Sequence, residues 1–159
     1  MTKEKKSAYT LRISQANRSG IIVILYEIFF TYMDDAKEAL CGKKDHDAAN
    51  EALRNASQVL EHLKNVLDFK YDIAKELFPL YVFGQKEIAK VMVYADAARI
   101  DGIVDFLRPL QEAFVEVAKQ DASETLMKNT EKVVAGYTYG RNDINAMSAD
   151  ISGSRGFLA

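Results

Sequence analysis

The chain has 159 residues, 48% of them hydrophobic and 28% charged, and its 21 basic and 23 acidic side chains give a formal net charge of -2. This length favours a single domain, and the near-neutral charge argues against a nucleic-acid partner, which usually requires a concentrated basic face. With 8 glycines, 2 prolines, 1 cysteine and 2 histidines, the chain is poorly suited to an all-β sandwich, an internal disulfide or a histidine-centred active site.

An apolar run at residues 21–33 has to be distinguished from a targeting signal. Four of the five residues at positions 34–38 are charged, where a signal peptide would need small cleavage-site residues. The run is also shorter than the ~20 residues that a membrane-spanning helix needs. We therefore expect a cytoplasmic protein without membrane insertion.

Apolar residues recur at spacings of three and four in four long segments, which predicts four helices. The first helix begins after Asn17 or Ser19, either of which can cap a helix start. It ends at residues 41–44, where we expect Gly42 to take the left-handed conformation. The second helix begins near Asp45 or Asp47.

The third and fourth predicted helices follow after short connections. The third opens after Asp72 and the fourth near Ala97, and each contains one proline, Pro79 or Pro109, that we expect to kink it. Segments of this size span roughly 33–36 Å at ~1.5 Å per residue. Because short connections make neighbouring helices antiparallel, the sequence predicts an all-α fold, an antiparallel up-down-up-down four-helix bundle over residues 8–120.

The pattern weakens on both sides of this bundle. We expect disorder over residues 1–7, a short fifth helix over residues 121–135, and a Gly-rich flexible tail over residues 136–159.

Motifs for catalysis or cofactor binding are not evident. A carboxylate-bridged metal in a helical bundle needs Glu-x-x-His pairs, but neither His46 nor His62 has a glutamate three positions earlier. The glycines at 136 and 140 lack the Lys-Ser/Thr of a phosphate-binding loop. We therefore predict no enzyme activity, no metal site and no cofactor.

The first predicted helix carries more apolar surface than one face of a bundle needs. Over residues 21–33 only Glu27 and Thr31 interrupt the apolar side chains, whereas an amphipathic stripe covers about 100°. One interpretation is a central helix covered by its neighbours. The other is a groove left open for an amphipathic partner segment.

Polar and apolar residues alternate over residues 8–13, before the first helix. This segment is interpreted either as a strap that covers a groove and moves aside for a ligand, or as a packed arm without a switching role. From the alternation alone, Leu11 and Ile13 are candidate binding residues.

Short strings occur in a specific order along the chain. They are Tyr9, Leu25-Tyr26-Glu27, Asp35-Ala36, Ala39-Leu40, Leu67-Asp68, and Ile73-Ala74-x-x-Leu77-x-x-Leu80-Tyr81. In this order, over roughly residues 9–119, the chain resembles the flagellin-specific export chaperones of the FliS family. It departs from the family in lacking a helix-starting proline near Asn17 and a Gly-Gly pair before Ile73.

The resemblance implies a chaperone of the bacterial cytosol that binds the C-terminal segment of flagellin. Such a chaperone prevents premature polymerisation and assists delivery to the flagellar export apparatus, whose gate components are further candidate partners. The family motif supplies the candidate binding residues Tyr9, Leu25, Tyr26, Ile73, Leu77 and Tyr81, to which the alternation adds Leu11 and Ile13. Of these, we expect Leu25 and Leu77 above all to be core residues.

Two other classes stay open at this point. A regulatory or interaction bundle that dimerises through its first helix would also account for the aromatic surplus without flagellin as ligand. A metal-carboxylate enzyme of the bundle type is the third. For the chaperone itself we expect a monomer or a weak homodimer.

Overall fold

The computed structural model describes residues 1–127. Its helices are α1 (Lys3–Ser14), α2 (Arg18–Glu38), α3 (His46–Asn65), α4 (Asp72–Tyr94) and α5 (Ala98–Gln120), and a π-helical turn, Ala39–Lys43, extends α2. No strand occurs within the described range, and the predicted all-α class is confirmed. Helices α4 and α5 continue through Pro79 and Pro109.

Side-chain caps define where two helices start. The Asn17 side chain accepts a hydrogen bond from the backbone N–H of Gly20 at 2.9 Å, and Asp45 accepts one from Ala48 at 3.0 Å. Each side-chain oxygen satisfies a donor that has no partner within its helix. The predicted starts of α2 and α3 are therefore confirmed.

The end of the first long helix differs from the prediction. Gly42 lies inside the π-helical turn, and the residue in the left-handed conformation is Lys44, with φ 51°. The backbone N–H of Lys44 donates to the carbonyl of Ala39 and closes this wider turn, and the N–H of Asp45 donates to the same carbonyl at 3.0 Å. Because the turn is one residue wider than an α-turn, the position that reverses the chain moves beyond Gly42.

Helix α2 is the central helix of the molecule. It contacts α1, α3 and α5, and α4 completes the bundle by packing against α3 and α5. The buried residues of α2 are Ile24, Tyr26, Phe29, Phe30, Met33 and Ala36. The apolar surplus of α2 is thus explained by its central position, which was the first of the two interpretations.

The N-terminal segment is helical from Lys3, which differs from the disorder expected over residues 1–7 and from the extended strap that the alternation indicated. Thr2 caps α1 by accepting from the backbone N–H of Lys5 at 3.3 Å. In a helix, positions three or four apart share a face, so Tyr9 and Ile13 lie on the side opposite to the exposed Leu11.

The chain leaves the bundle after α5 and is tied back to the start of α2. The Asn17 side-chain amide donates to the carbonyl of Asp121 at 3.0 Å, and the Ser19 hydroxyl donates to its carboxylate at 2.5 Å. Residues 121–127 are not helical. The remainder of the predicted fifth helix and the predicted tail over residues 136–159 lie outside the described residues.

Candidate protein-binding surface

The eight predicted binding residues do not form one surface. Tyr26, Leu77 and Tyr81 are buried in the core. Tyr9, Ile13 and Leu25 are half-buried, and Leu11 and Ile73 are exposed. Three of the eight residues therefore stabilise the bundle, and a partner can reach the other five without rearrangement of the core.

Two of the core residues form a polar contact inside the bundle. The hydroxyls of Tyr26 and Tyr81 lie 2.7 Å apart, within hydrogen-bonding distance. Burial raises the pKa of both hydroxyls, so both tyrosines are neutral near pH 7. These two residues of the family motif contribute to the fold.

An apolar depression opens at the end of the bundle where α2 and α4 begin and α3 and α5 end. We call it the apical groove, and its volume is about 150 Å³. Its apolar walls are formed by Ile22, Leu63, Val66, Leu67, Ile73, Ala74, Leu77 and Phe114. The other lining residues, Asp68, Tyr71 and Tyr81, carry polar groups, and only Asp68 carries a charge.

Exposed apolar side chains surround this groove. Ile73 is 59% exposed and Val66 and Tyr71 are more so, while the ring of Phe69 contacts the ring of Phe78 with centroids 5.7 Å apart. Contiguous apolar surface of this kind marks interaction sites in soluble proteins. Sequence reasoning selected Ile73 as a binding residue and did not select the other four, although three of them lie in a short connection, where polar residues are usual.

Helix α1 is attached to α2 mainly by polar contacts. The guanidinium of Arg12 donates to both carboxylate oxygens of Glu27, and the hydroxyl of Tyr9 lies 3.0 Å from that of Thr31. The hydrogen bond with Glu27 raises the pKa of Arg12. Ser14 is the single buried residue of α1. Helix α1 therefore adds almost nothing to the apolar core.

Two further depressions differ from the apical groove in chemistry. The larger, of about 580 Å³, lies among α1, α2 and α3, and its lining includes the charged groups of Asp35, Glu38 and Glu51. The other, of about 280 Å³, lies between α4 and α5 beside Phe83 and the Glu87–Arg99 ion pair. The first has a mixed polar and apolar lining, and the second has a mainly apolar lining that includes two charged side chains, whereas the lining of the apical groove includes one, Asp68.

Residues 1–127 carry neither a metal-ligand cluster nor a membrane-spanning helix. No group of three or more histidine, cysteine, aspartate or glutamate side chains there is placed to hold a metal ion. No helix in that range is long and apolar enough to cross a membrane.

The described fold and its open apolar end place the chain in the class of small helical bundles whose exposed surface is typical of polypeptide-binding proteins. The sequence matches the family model described as flagellar protein FliS over residues 1–121, and the chain belongs to this family. Membership makes it a flagellar export chaperone with flagellin as partner, in a family of chaperones rather than enzymes. Comparison with curated proteins gives no match.

Proposed function

We propose that the protein binds the C-terminal segment of flagellin in the bacterial cytosol, prevents its premature polymerisation and assists its delivery to the flagellar export apparatus. The observation that carries this proposal is the apical groove with its exposed apolar surroundings, in a chain of the FliS family. Components of the export gate are proposed as further partners.

The physical basis is the masking of an apolar stripe. An amphipathic segment that has lost its partner helices exposes such a stripe and aggregates through it. A bundle that offers a complementary groove can cover the stripe without forming any covalent bond and without a cofactor. A few well-buried anchor residues carry most of the binding energy of such an interface, and the remaining contacts contribute little. The bound segment can therefore still be released.

The residues that contact the bound segment in this proposal are those that the structure leaves accessible. Ile73 is the central one because it lines the apical groove, and Leu25 on α2 is half-buried. The proposed contact residues also include three residues of α1, namely Tyr9, Leu11 and Ile13. The remaining three predicted residues belong to the core. In this proposal Tyr26 makes no direct contact with the bound segment, whereas Leu77 and Tyr81 contact it through the parts of their side chains that line the groove.

Displacement of α1 is part of the proposal. The polar attachment of Arg12 to Glu27 and of Tyr9 to Thr31 holds α1 along α2 without anchoring it in the core. Hydrogen exchange of the α1 amides, measured with and without a flagellin peptide, is expected to show faster exchange in the complex. Unchanged or increased protection of α1 would show that it stays in place when the segment binds.

The central test is titration calorimetry with a synthetic C-terminal segment of flagellin from the same organism. We expect saturable 1:1 binding with a negative heat-capacity change, the signature of buried apolar surface. Ile73→Asp is expected to weaken binding at least tenfold because it places a charge in the apical groove. Val93→Asp is the matched control, because Val93 is 75% exposed on the same helix and lies outside the groove.

Two results would contradict the proposal. One is the absence of measurable heat at tens of micromolar peptide, and the other is equal binding by wild type and Ile73→Asp. Size-exclusion chromatography of the same samples tests the alternative of a dimeric bundle. The structure provides little support for dimerisation through α2, since α1, α3 and α5 cover that helix. A stable dimer without peptide binding would nevertheless favour it.

A further inference from the structure

We infer that the apical groove holds a single apolar anchor side chain of the bound segment, and that Asp68 at its rim selects a lysine or arginine beside that anchor. This inference rests on the proposed function, because it specifies which feature of the flagellin segment the groove recognises.

The size of the groove limits what it can hold. A cavity of about 150 Å³ lined by leucine, isoleucine and phenylalanine is large enough for one benzene molecule. The apical groove has about this volume and a similar lining. It therefore accommodates one leucine, isoleucine, methionine or phenylalanine side chain and not a row of them.

The floor and the rim of the groove differ in rigidity. Leu63, Leu77 and Tyr81 form a floor that is already packed into the core. Val66 and Ile73 stand at the rim with more than half of their surface exposed. A side chain inserted between the two rim residues would pack against a preformed floor. Anchor residues contribute most to binding energy in well-packed pockets of this kind.

Asp68 gives the groove its charge preference. One carboxylate oxygen of Asp68 accepts a hydrogen bond from the backbone N–H of Lys70 at 3.1 Å. A carboxylate has further acceptor positions, and Asp68 forms no ion pair within residues 1–127. It is the one charged side chain in the lining, so a cation of the partner meets no competing positive charge inside the groove.

Of the three lysines that flank this end of the bundle, two are already engaged, and Lys70, although close in sequence, forms no ion pair with Asp68. Lys64 pairs with Glu61 at 2.5 Å, and Lys75 pairs with Asp72 at 2.8 Å. The carboxylate of Asp68 thus has oxygen lone pairs available to a cation from outside the chain. On a helical segment, residues three or four positions from the anchor lie beside it, which places a lysine or arginine there within reach of the rim.

The test compares Asp68→Asn with wild type in calorimetric titrations of the flagellin peptide. Asparagine keeps an oxygen that accepts from the Lys70 N–H but removes the charge. We expect affinity to fall about threefold to tenfold and its dependence on salt to become weaker. Asp72→Asn is the matched control with the same charge change, since Asp72 is 92% exposed and lies outside the groove lining.

Peptide variants locate the partner residues. Replacing each large apolar residue by alanine should identify one position at which affinity falls tenfold or more, and replacing each lysine or arginine by glutamine should identify one neighbour. When that lysine or arginine of the peptide is replaced by glutamine, Asp68→Asn should cause no further loss of affinity. Asp68→Lys paired with a glutamate at the neighbour should restore part of the affinity.

The outcomes separate the two claims. If wild type binds the peptide but Asp68→Asn behaves as Asp72→Asn does, the charge preference is wrong and the proposed function stands. If the alanine variants lose affinity evenly along the peptide, the single-anchor inference is wrong. If wild type does not bind the peptide at all, the proposed function fails and this inference fails with it.

Discussion

The hydroxyl of Tyr26 on α2 lies 2.7 Å from the hydroxyl of Tyr81 on α4, and both side chains are almost completely buried. Helices α2 and α4 are diagonal partners, since each packs mainly on α3 and α5. The hydrogen bond thus joins the two helices through the centre of the bundle, beneath the apical groove that Tyr81 also lines.

Removal of both hydroxyls is expected to be less damaging than the sum of the two single removals. Tyr26→Phe or Tyr81→Phe alone leaves a buried hydroxyl without its partner, which costs about 1–3 kcal/mol. The double variant removes both polar groups and should be less destabilised than the sum of the two single variants. Urea unfolding of the four proteins measures this coupling, and strict additivity would contradict it.

Tyr26→Ala is therefore unsuitable as a probe of flagellin binding. Truncating a buried aromatic residue leaves a cavity and typically costs about 3–5 kcal/mol of stability. Any loss of binding in that variant would report partial unfolding. Ile73→Asp and its Val93→Asp control avoid this difficulty because both side chains are exposed.

Loss of the Arg12–Glu27 contact is expected to loosen α1 without affecting the bundle. Arg12→Gln removes the paired charge-assisted hydrogen bonds, and an exposed pair of this kind contributes up to about 1 kcal/mol. Hydrogen exchange should become faster for residues 3–14, while urea unfolding of the whole domain changes little. High salt should have a similar effect in wild type because it screens the same pair.

Lys119→Gln provides the control for this experiment. Lys119 pairs with Glu116 at 2.7 Å near the end of α5, away from α1. Its substitution should leave α1 exchange unchanged. If Arg12→Gln instead lowers the stability of the whole domain as strongly as a core substitution, α1 is an integral part of the bundle and its proposed displacement is untenable.

The four bundle helices were predictable because their signals are local. Helical periodicity of apolar residues defines their faces, and Asn17 and Asp45 provide caps that act within three residues. Helix α1 was missed because its attachment depends on tertiary contacts of Tyr9 and Arg12 with residues 22 and 15 positions away. Its short polar sequence has no apolar stripe to reveal it.

The candidate surface was only partly predictable for a related reason. A spacing pattern places Ile73, Leu77 and Tyr81 on one helix, but it does not show which of them the neighbouring helices cover. Packing buries Leu77 and Tyr81 and leaves Ile73 exposed. Val66 continues the apolar spacing of α3 and was expected to lie in the core, but it follows the last residue of that helix, and Tyr71 lies in the same connection between α3 and α4.

Two glycines should respond oppositely to substitution by alanine. A Cβ atom at Gly84 in α4 would lie 2.9 Å from the Cδ1 of the buried Leu60, whereas one at Gly102 in α5 would meet no atom within 4 Å. Gly102→Ala should raise the free energy of unfolding by about 0.5–1 kcal/mol through helix propensity. Gly84→Ala should lower it by about 1–3 kcal/mol because the core is overpacked. A gain in stability for both variants in urea unfolding would show that Leu60 has room to move.

Asp121 makes the junction between α5 and the start of α2 sensitive to acid. Hydrogen bonds from Ser123, and then from Ser19, lower the pKa of the Asp121 carboxyl to about 2. An unfolded aspartate has a pKa of about 3.9, so the stabilising contribution of Asp121 is complete above that value and is lost as pH falls through about 2. Asp121→Asn should therefore lower the thermal midpoint near neutral pH, and this difference from wild type should shrink steadily between about pH 4 and pH 2. Asp105→Asn on α5 is the control with the same change of side chain, because within residues 1–127 Asp105 lacks the serine hydrogen bonds that Asp121 accepts. If the deficit of Asp121→Asn is the same at neutral pH and near pH 2, its cause is the altered shape of the side chain and not the lost charge.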